Sequence, residues 1–303
     1  MDEIKLIFDP TSQRMLTIFL GLIMFSVALG LKVEHFKELR KRPRLVFSGI
    51  LGQIIALPLF TLLLTLILKP PPSVALGMIV VACCPGGNVS NFLTSISRGD
   101  IALSVTLTAI SSIFAVLLTP ISIVFWSGFN LEVSALIQSI GLDVKDFLIQ
   151  TTFMLIIPLI LGMFVAYKGK KIANFLYKPM RYISFLILIG FIVFTFVNNY
   201  INFLLYASII VPVVIIQNIM ALMIGFSVGK VVSAPIDSHR ALIFEVGIQN
   251  SGLGLVILLS FFQNIGGAAM ITAFWGVWHI ISGLILSGFY AIIDNKKLNI
   301  QLK

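Results

Sequence analysis

The stretch FEVGIQNSG, residues 244–252, places a carboxylate between two apolar runs. An acid is costly inside a lipid bilayer, so it usually faces a cavity and pairs with a cation or a proton. The small and polar residues after Glu245 are poor helix formers, and several carry oxygen atoms that can bind a hard cation. The structural alternative is a protonated Glu245 that hydrogen-bonds between helices. The composition of the stretch favours an interrupted helix with a cation site.

The composition of the whole chain is that of a membrane protein. Of its 303 residues, 58% are hydrophobic and 11% are charged, and the mean hydropathy is +1.07. At roughly 20 apolar residues per helical span, the length allows about nine or ten spans. We predict an all-α polytopic membrane protein whose first apolar run is retained rather than cleaved as a signal peptide. The nine predicted transmembrane helices cover residues 12–32, 44–68, 73–97, 100–127, 145–167, 181–199, 202–229, 236–262 and 267–292.

The basic residues predict the orientation of these spans. Alternate connections, together with the C-terminal tail, hold 17 of the 21 Lys and Arg residues. Because basic residues accumulate in cytoplasmic loops, we expect the N-terminus outside and the C-terminus in the cytoplasm. The compact loops suit the cell membrane of a bacterium. A nucleic-acid partner is disfavoured, since the basic residues lie in short loops beside the membrane.

A second interruption is predicted at ACCPGGNVSN, residues 82–91. Pro85 lacks a backbone donor, and Gly86 and Gly87 tolerate non-helical angles. Each interruption follows a span with a central glutamine, Gln53 or Gln217, and precedes a long helix. The two glutamine-containing spans are the second and the seventh, so they are five positions apart. Consecutive spans cross the membrane in opposite directions, and an odd separation therefore gives the two three-helix copies opposite orientations. The pattern predicts an inverted repeat whose two broken helices cross at the midplane, as in secondary transporters.

Three segments carry a resemblance to a known family: residues 83–111, CCPGGNVSNFLTSISRGDIALSVTLTAIS; residues 244–253, FEVGIQNSGL; and residues 278–283, WHIISG. Both interruption motifs occur in order, and the chain resembles the bile acid:sodium symporters, in particular their bacterial members. The resemblance implies a core domain that rocks against a panel of helices. It implies a panel helix at 1–43, a first core repeat at 44–128 with its broken helix at about 73–97, panel helices at 145–199, and a second core repeat at 202–293 with its broken helix at about 236–262.

The resemblance also implies two bound sodium ions. The first site would use Ser90, Asn91, Ser104, Thr108 and Glu245. The second would use Gln53, Glu245, Gln249 and the carbonyls of Val246 and Ile248. All of these ligands are oxygen atoms, which suit a hard cation. Ser104 and Thr108 share one helix face, although hydroxyls in membrane helices also commonly bond to their own helix or a neighbour.

The substrate implied by the resemblance is an organic anion, such as a bile acid or a related carboxylate. Asn88, Asn250 and His279 would bind it, although Ile280 stands where many bacterial relatives have asparagine. His279 is equally consistent with packing between helices. The expected function is a sodium-coupled symporter that imports this anion by alternating access.

Other functions fit the sequence less well. An intramembrane hydrolase is disfavoured, because one acid and one histidine lie in mid-span and no HExxH zinc motif is present. A proton-coupled or arsenite-type exporter of the same superfamily is the main alternative. For that alternative Cys83 or Cys84 would supply a thiolate ligand, whereas the simpler interpretation is that both pack as small apolar residues.

Overall fold

The described residues form helices and no strand. The computed structural model describes residues 10–31, 40–198, 200–262 and 265–301. The helices in this part of the chain are α1 (Pro10–Leu29), α2 (Pro43–Leu68), α3 (Pro72–Ala82), α4 (Asn88–Ile96), α5 (Ile101–Gly128), α6 (Leu131–Ser139), α7 (Val144–Lys168), α8 (Lys170–Asn198), α9 (Tyr200–Val231), α10 (Ile236–Gly247), α11 (Ser251–Phe261) and α12 (Gly266–Gln301).

The prediction of an all-helical membrane protein is confirmed. Among the described residues, five helices are by length and composition able to cross a bilayer: α2, α5, α7, α9 and α12 up to Asn295. Helices α1 and α8 cover two further predicted spans, and α8 begins well before the predicted residue 181. The short α6 was not predicted; Asn130 caps it by accepting a hydrogen bond from the backbone of Val133 at 3.2 Å. The count of nine spans stays a prediction.

Both predicted interruptions are present. Residues 83–87 separate α3 from α4, and residues 248–250 separate α10 from α11. Gly87 and Ile248 have extended backbone angles, which end the helical hydrogen-bond pattern. Helices α3 and α11 are buried on nearly every side, so they lie in the interior of the bundle.

The helices assigned to the panel pack against one another. Helix α1 lies against α7 and α8. A Cβ atom added at Gly162 of α7 would come within 2.5 Å of the Cβ of Ala28, so this contact requires glycine. The other long helices surround the two broken ones, with α12 against α3 and α9 against α10. That the first group moves as a unit stays a prediction.

Four connections that the charge pattern assigns to one side of the membrane meet at one end of the bundle. Arg42 pairs with Asp100, and the backbone N–H of Asp100 donates to the carbonyl of Asp237 at 3.0 Å. Arg240 pairs with Asp294 near the end of α12. The contacts agree with the predicted alternation of the spans.

Candidate cation site at the helix crossing

The two interruptions touch. Gly86 and Gln249 pair in antiparallel fashion, and the backbone N–H of Asn250 donates to the carbonyl of Pro85 at 2.8 Å. Helix interruptions leave backbone groups without their usual partners, and buried groups of this kind must find others. Each interruption therefore supplies partners for the other.

Glu245 lies in the last turn of α10 and is completely buried. Its Oε1 atom accepts hydrogen bonds from the hydroxyls of Ser90 on α4 and Ser104 on α5, both at 2.6 Å. The Thr108 hydroxyl lies 3.0 Å from both carboxylate oxygens. In the described part of the chain, no Lys, Arg or His side chain pairs with this carboxylate. Three helices thus converge on a buried acid without a cationic partner.

The cluster around Glu245 has more oxygen acceptors than protons. The Ser90 hydroxyl also lies 2.6 Å from the Gly87 carbonyl, and the Ser104 hydroxyl lies 2.8 Å from Oδ1 of Asn91. A hydroxyl donates one proton, so it cannot serve both neighbours at once. A bound cation would satisfy the remaining lone pairs. The atoms gathered around Glu245 are carboxylate, hydroxyl and amide oxygens, a set of ligands that suits a hard cation.

The amides of the second predicted set also lie beside Glu245. Gln53 sits in a π-helical turn of α2, Gly52–Ala56, a local geometry that is common at functional sites. Its Nε2 donates to the Glu245 carbonyl at 2.6 Å, and Nε2 of Gln249 donates to the Val246 carbonyl at 2.7 Å. The Oε1 atoms of both glutamines are buried without a hydrogen-bond partner. Both oxygen atoms therefore have lone pairs available to a ligand.

Gly86 belongs to the site for a reason that the sequence did not show. A Cβ atom at this position would lie 2.7 Å from Oε2 of Glu245 and 2.9 Å from Nε2 of Gln53. The glycine was predicted only as a helix breaker. In the structure it also leaves the space in which the acid and the amide meet.

A small cavity lies beside the first interruption. Its volume is about 10 Å³, the space that one water molecule needs. Thr119 lies in its wall, and its hydroxyl donates to the Cys83 carbonyl at 3.0 Å. The Cys84 thiol donates to the Val80 carbonyl of its own helix. The cavity is lined by Gln53, Ile54, Cys83, Cys84, Pro85, Ser111, Ala115, Leu118, Thr119 and Ser122.

Two of the three predicted substrate residues lie at the crossing. Asn88 is exposed at the start of α4, and Asn250 caps α11 by accepting a hydrogen bond from the Leu253 N–H at 3.1 Å. His279 is buried in α12, where Nδ1 donates to the Trp275 carbonyl at 2.6 Å. Its Nε2 atom is buried without a partner.

Two neighbouring amides on α9 support the broken helices. Nδ2 of Asn218 donates to the Gly247 carbonyl at 3.0 Å, while its Oδ1 accepts from Ser282 at 2.6 Å. Nε2 of Gln217 donates to the Met78 carbonyl at 2.9 Å. Sequence reasoning selected Gln217 but missed Asn218, although a polar residue in mid-span was the available signal.

One nucleophile pattern in the sequence has no catalytic setting. Residues 225–229 read GFSVG, which matches GxSxG. A catalytic serine of this type stands on a sharp turn between a strand and a helix. Here Ser227 lies inside the continuous α9 and donates to the Met223 carbonyl at 2.8 Å. The pattern is part of an ordinary helix.

Broken helices that meet at a buried acid are typical of secondary transporters. A sequence profile of the "Sodium Bile acid symporter family" matches residues 17–209, so the chain belongs to this family. The protein is a multi-pass membrane transporter and not an enzyme. The profile includes the first interruption, and the similarity to individual relatives extends over the second.

Three relatives span most of the chain. "Uncharacterized sodium-dependent transporter YocS" of Bacillus subtilis is 32% identical over 93% of this chain and 84% of its own. "Probable sodium/metabolite cotransporter BASS1, chloroplastic" of Arabidopsis thaliana is 30% identical over 96% of this chain and 70% of its own. The human "Sodium/bile acid cotransporter 4" is 28% identical over 96% of this chain and 68% of its own.

Proposed function

We propose that the protein is a sodium-coupled symporter that imports an organic anion by alternating access. The observation that carries the proposal is the buried carboxylate of Glu245 with hydroxyls from α4 and α5 and without a cationic partner among the described residues. The names of the relatives, which are described as sodium-dependent or as sodium cotransporters, support the choice of ion.

Two sodium ions would share the single acid. The first would lie among Ser90, Asn91, Ser104, Thr108 and Glu245, and the second among Glu245, Gln53, Gln249 and the carbonyls of Val246 and Ile248. Two monovalent cations and one carboxylate leave a net positive charge. In a buried site this charge attracts an anion more strongly than it would in water.

The anion would bind where two helices begin. Helices α4 and α11 start at the crossing, and the N-terminal ends of helices carry free N–H groups and partial positive charge. Asn88 and Asn250 stand at these two starts and offer amide donors. Nδ1 of His279 donates to its own helix, so Nε2 of the neutral ring is an acceptor, and His279 would bind the anion only with Nε2 protonated as well. A bile acid or a smaller carboxylate fits this chemistry.

Alternating access would use two groups of helices in a nine-span bundle of the cell membrane, with the N-terminus outside. The core would consist of α2 to α5 and α9 to α12, and the panel of α1, α7 and α8. Gln53 of the first repeat bonds to Glu245 in the second repeat, while Gln217 of the second repeat bonds to Met78 in the first. These reciprocal hydrogen bonds between the two repeats support the inverted-repeat arrangement. Bound sodium would order the crossing and thereby favour the state that binds the anion.

Uptake by the purified protein in liposomes tests the proposal. Bile salts and small carboxylates are offered with an inward sodium gradient, and an equal potassium gradient is the control. We expect accumulation with sodium alone. Uptake driven by a pH gradient without sodium would instead indicate the proton-coupled alternative. Arsenite transport that is lost in Cys83→Ser or Cys84→Ser would indicate the metalloid alternative.

A further inference from the structure

A buried arginine ties α10 to two other helices. Arg240 is 7% exposed, and its guanidinium makes a bidentate pair with Asp294 of α12 at 2.7 and 2.8 Å. Nη1 also donates to the carbonyl of Ser97, directly after α4, at 2.7 Å. The guanidinium stacks over the ring of Tyr290 at 4.6 Å. Arginine's planar fork suits such a contact with several partners.

Asp100 joins the start of α5 to Arg42, which precedes α2, by an ion pair, and to the start of α10 by hydrogen bonds. Asp100 caps α5 by accepting a hydrogen bond from the Leu103 N–H at 3.0 Å. It pairs with Arg42 and accepts from the Ser238 hydroxyl at 3.1 Å, while its own backbone N–H donates to the Asp237 carbonyl at 3.0 Å. The start of α10 is therefore bonded directly to the start of α5.

The helices joined in this way are those that carry the oxygen cluster. Helix α4 carries Ser90 and Asn91, α5 carries Ser104 and Thr108, and α10 carries Glu245. The junction is closely packed as well. A Cβ atom at Gly99 would lie 2.8 Å from Cγ2 of Thr94 and 3.3 Å from Cβ of Arg240. Neither ion pair touches the cluster itself.

We propose that Arg240 is a positioning residue for the sodium site, acting through the contacts that hold α4 and α10 together. This inference rests on the proposed sodium site around Glu245. Oxygen ligands bind a cation well only within a few tenths of an ångström of their preferred distances. The bonds from Arg240 to Ser97 and Asp294 hold α10 at the position where Glu245 meets the hydroxyls of the other two helices.

The positive charge of Arg240 makes the proposal testable, because loss of the charge and loss of the positioning change sodium affinity in opposite directions. Arg240 lies five residues before Glu245, about 7.5 Å along a helix that rises 1.5 Å per residue. A positive charge on the helix that carries Glu245 opposes the binding of a cation beside that residue. Removal of the charge alone would therefore tighten sodium binding. Loss of positioning weakens sodium binding, so the two effects have opposite directions.

The experiment is a sodium titration of purified full-length protein, read as the shift of its unfolding temperature, with potassium keeping the ionic strength constant. In Arg240→Gln we expect the sodium concentration that raises the unfolding temperature by a fixed increment to be about fivefold higher than in the wild type, a typical effect within a coupled network. The matched control is Arg98→Gln. Arg98 lies 4.0 Å from the same Asp294 but its side chain is 66% exposed, so its removal should leave the sodium requirement unchanged.

A conservative variant separates positioning from folding. Arg240→Lys keeps the charge but loses the bidentate contact, so we expect a sodium requirement between those of the wild type and Arg240→Gln, at an unfolding temperature without sodium close to that of the wild type. If Arg240→Gln does not fold, the sodium requirement of Arg240→Lys tests the proposal. A sodium requirement of the tested Arg240 variant that is equal to or lower than that of the wild type overturns the positioning role but not the proposed sodium site. Absence of any sodium effect in the wild type overturns the proposed function as well.

Discussion

The backbone N–H of Asn250 donates to the carbonyl oxygen of Pro85 at 2.8 Å. The two residues belong to different interruptions, and the bond joins the places where the two helices lose their regular pattern. It also brings the starts of α4 and α11 together beside Glu245. The cation site and the anion site that we propose both depend on this contact.

Replacement of Glu245 by glutamine should remove the sodium dependence of transport. Glutamine keeps the size of the side chain but lacks the charge that offsets the ions. Loss of one buried charged partner costs about 2 kcal/mol or more, so we expect sodium binding to weaken at least about 30-fold. Sodium-stimulated uptake in liposomes is the measurement. The control is Glu132→Gln, which changes an exposed acid at the start of α6. Sodium dependence like that of the wild type in the Glu245 variant would refute the assignment.

Gly86→Ala should weaken sodium binding without preventing folding. The added methyl group would stand 2.7 Å from Oε2 of Glu245 and must displace the carboxylate or the Gln53 amide. We expect about a tenfold loss of sodium affinity, which corresponds to about 1.4 kcal/mol of strain in a packed interior. Gly128→Ala is the control, since nothing lies within 4 Å of its Cβ position. Equal sodium affinities in the two variants would show that the space at Gly86 is not required.

Gln249→Leu tests the second ion. The change removes the Oε1 atom that is buried without a partner, while the first cluster keeps all its ligands. We expect the Hill coefficient of uptake for sodium to fall from about 2 to about 1. Gln217→Leu is the control, because this amide bonds to the Met78 carbonyl and is not part of either proposed site. A Hill coefficient that stays the same after Gln249→Leu would argue against the second ion.

Asp100→Asn should lower stability in a manner that depends on pH. Burial alone would raise the pKa of Asp100, but hydrogen bonds from Arg42, Leu103 and Ser238 and the charge of Arg42 hold it below its ordinary value of 3.8. A carboxyl with a lowered pKa stabilises the folded state above its unfolded pKa, and the contribution is lost as the pH falls through the folded value. We expect the variant to be about 1 kcal/mol less stable at neutral pH, since asparagine keeps the helix cap but not the ion pair.

The difference should shrink as the pH falls below about 4, which denaturant unfolding at several pH values can measure. Asp143→Asn makes the same substitution at another helix cap, where the side chain is exposed. It should change stability little at any pH. A stability loss of equal size at all pH values in Asp100→Asn would contradict the role of the carboxylate charge.

The two interruptions and the acid in mid-span were predictable from the sequence. Proline and adjacent glycines act on the backbone locally, so the break at residues 83–87 needs no knowledge of distant residues. The cost of a carboxylate in an apolar span is equally independent of the fold, and it selects Glu245 by itself.

The partners of these residues depend on packing and were decided only by the tertiary structure. Gln53 bonds to the broken helix of the other repeat, and Gly86 leaves space for a side chain from α10. Arg240 and Asp100 looked like ordinary loop charges, yet they join the helices that carry the cluster. Local composition determines where a helix breaks, because that effect reaches only a few residues along the chain. Contacts between distant segments follow from how whole helices pack, and no single short stretch contains that information.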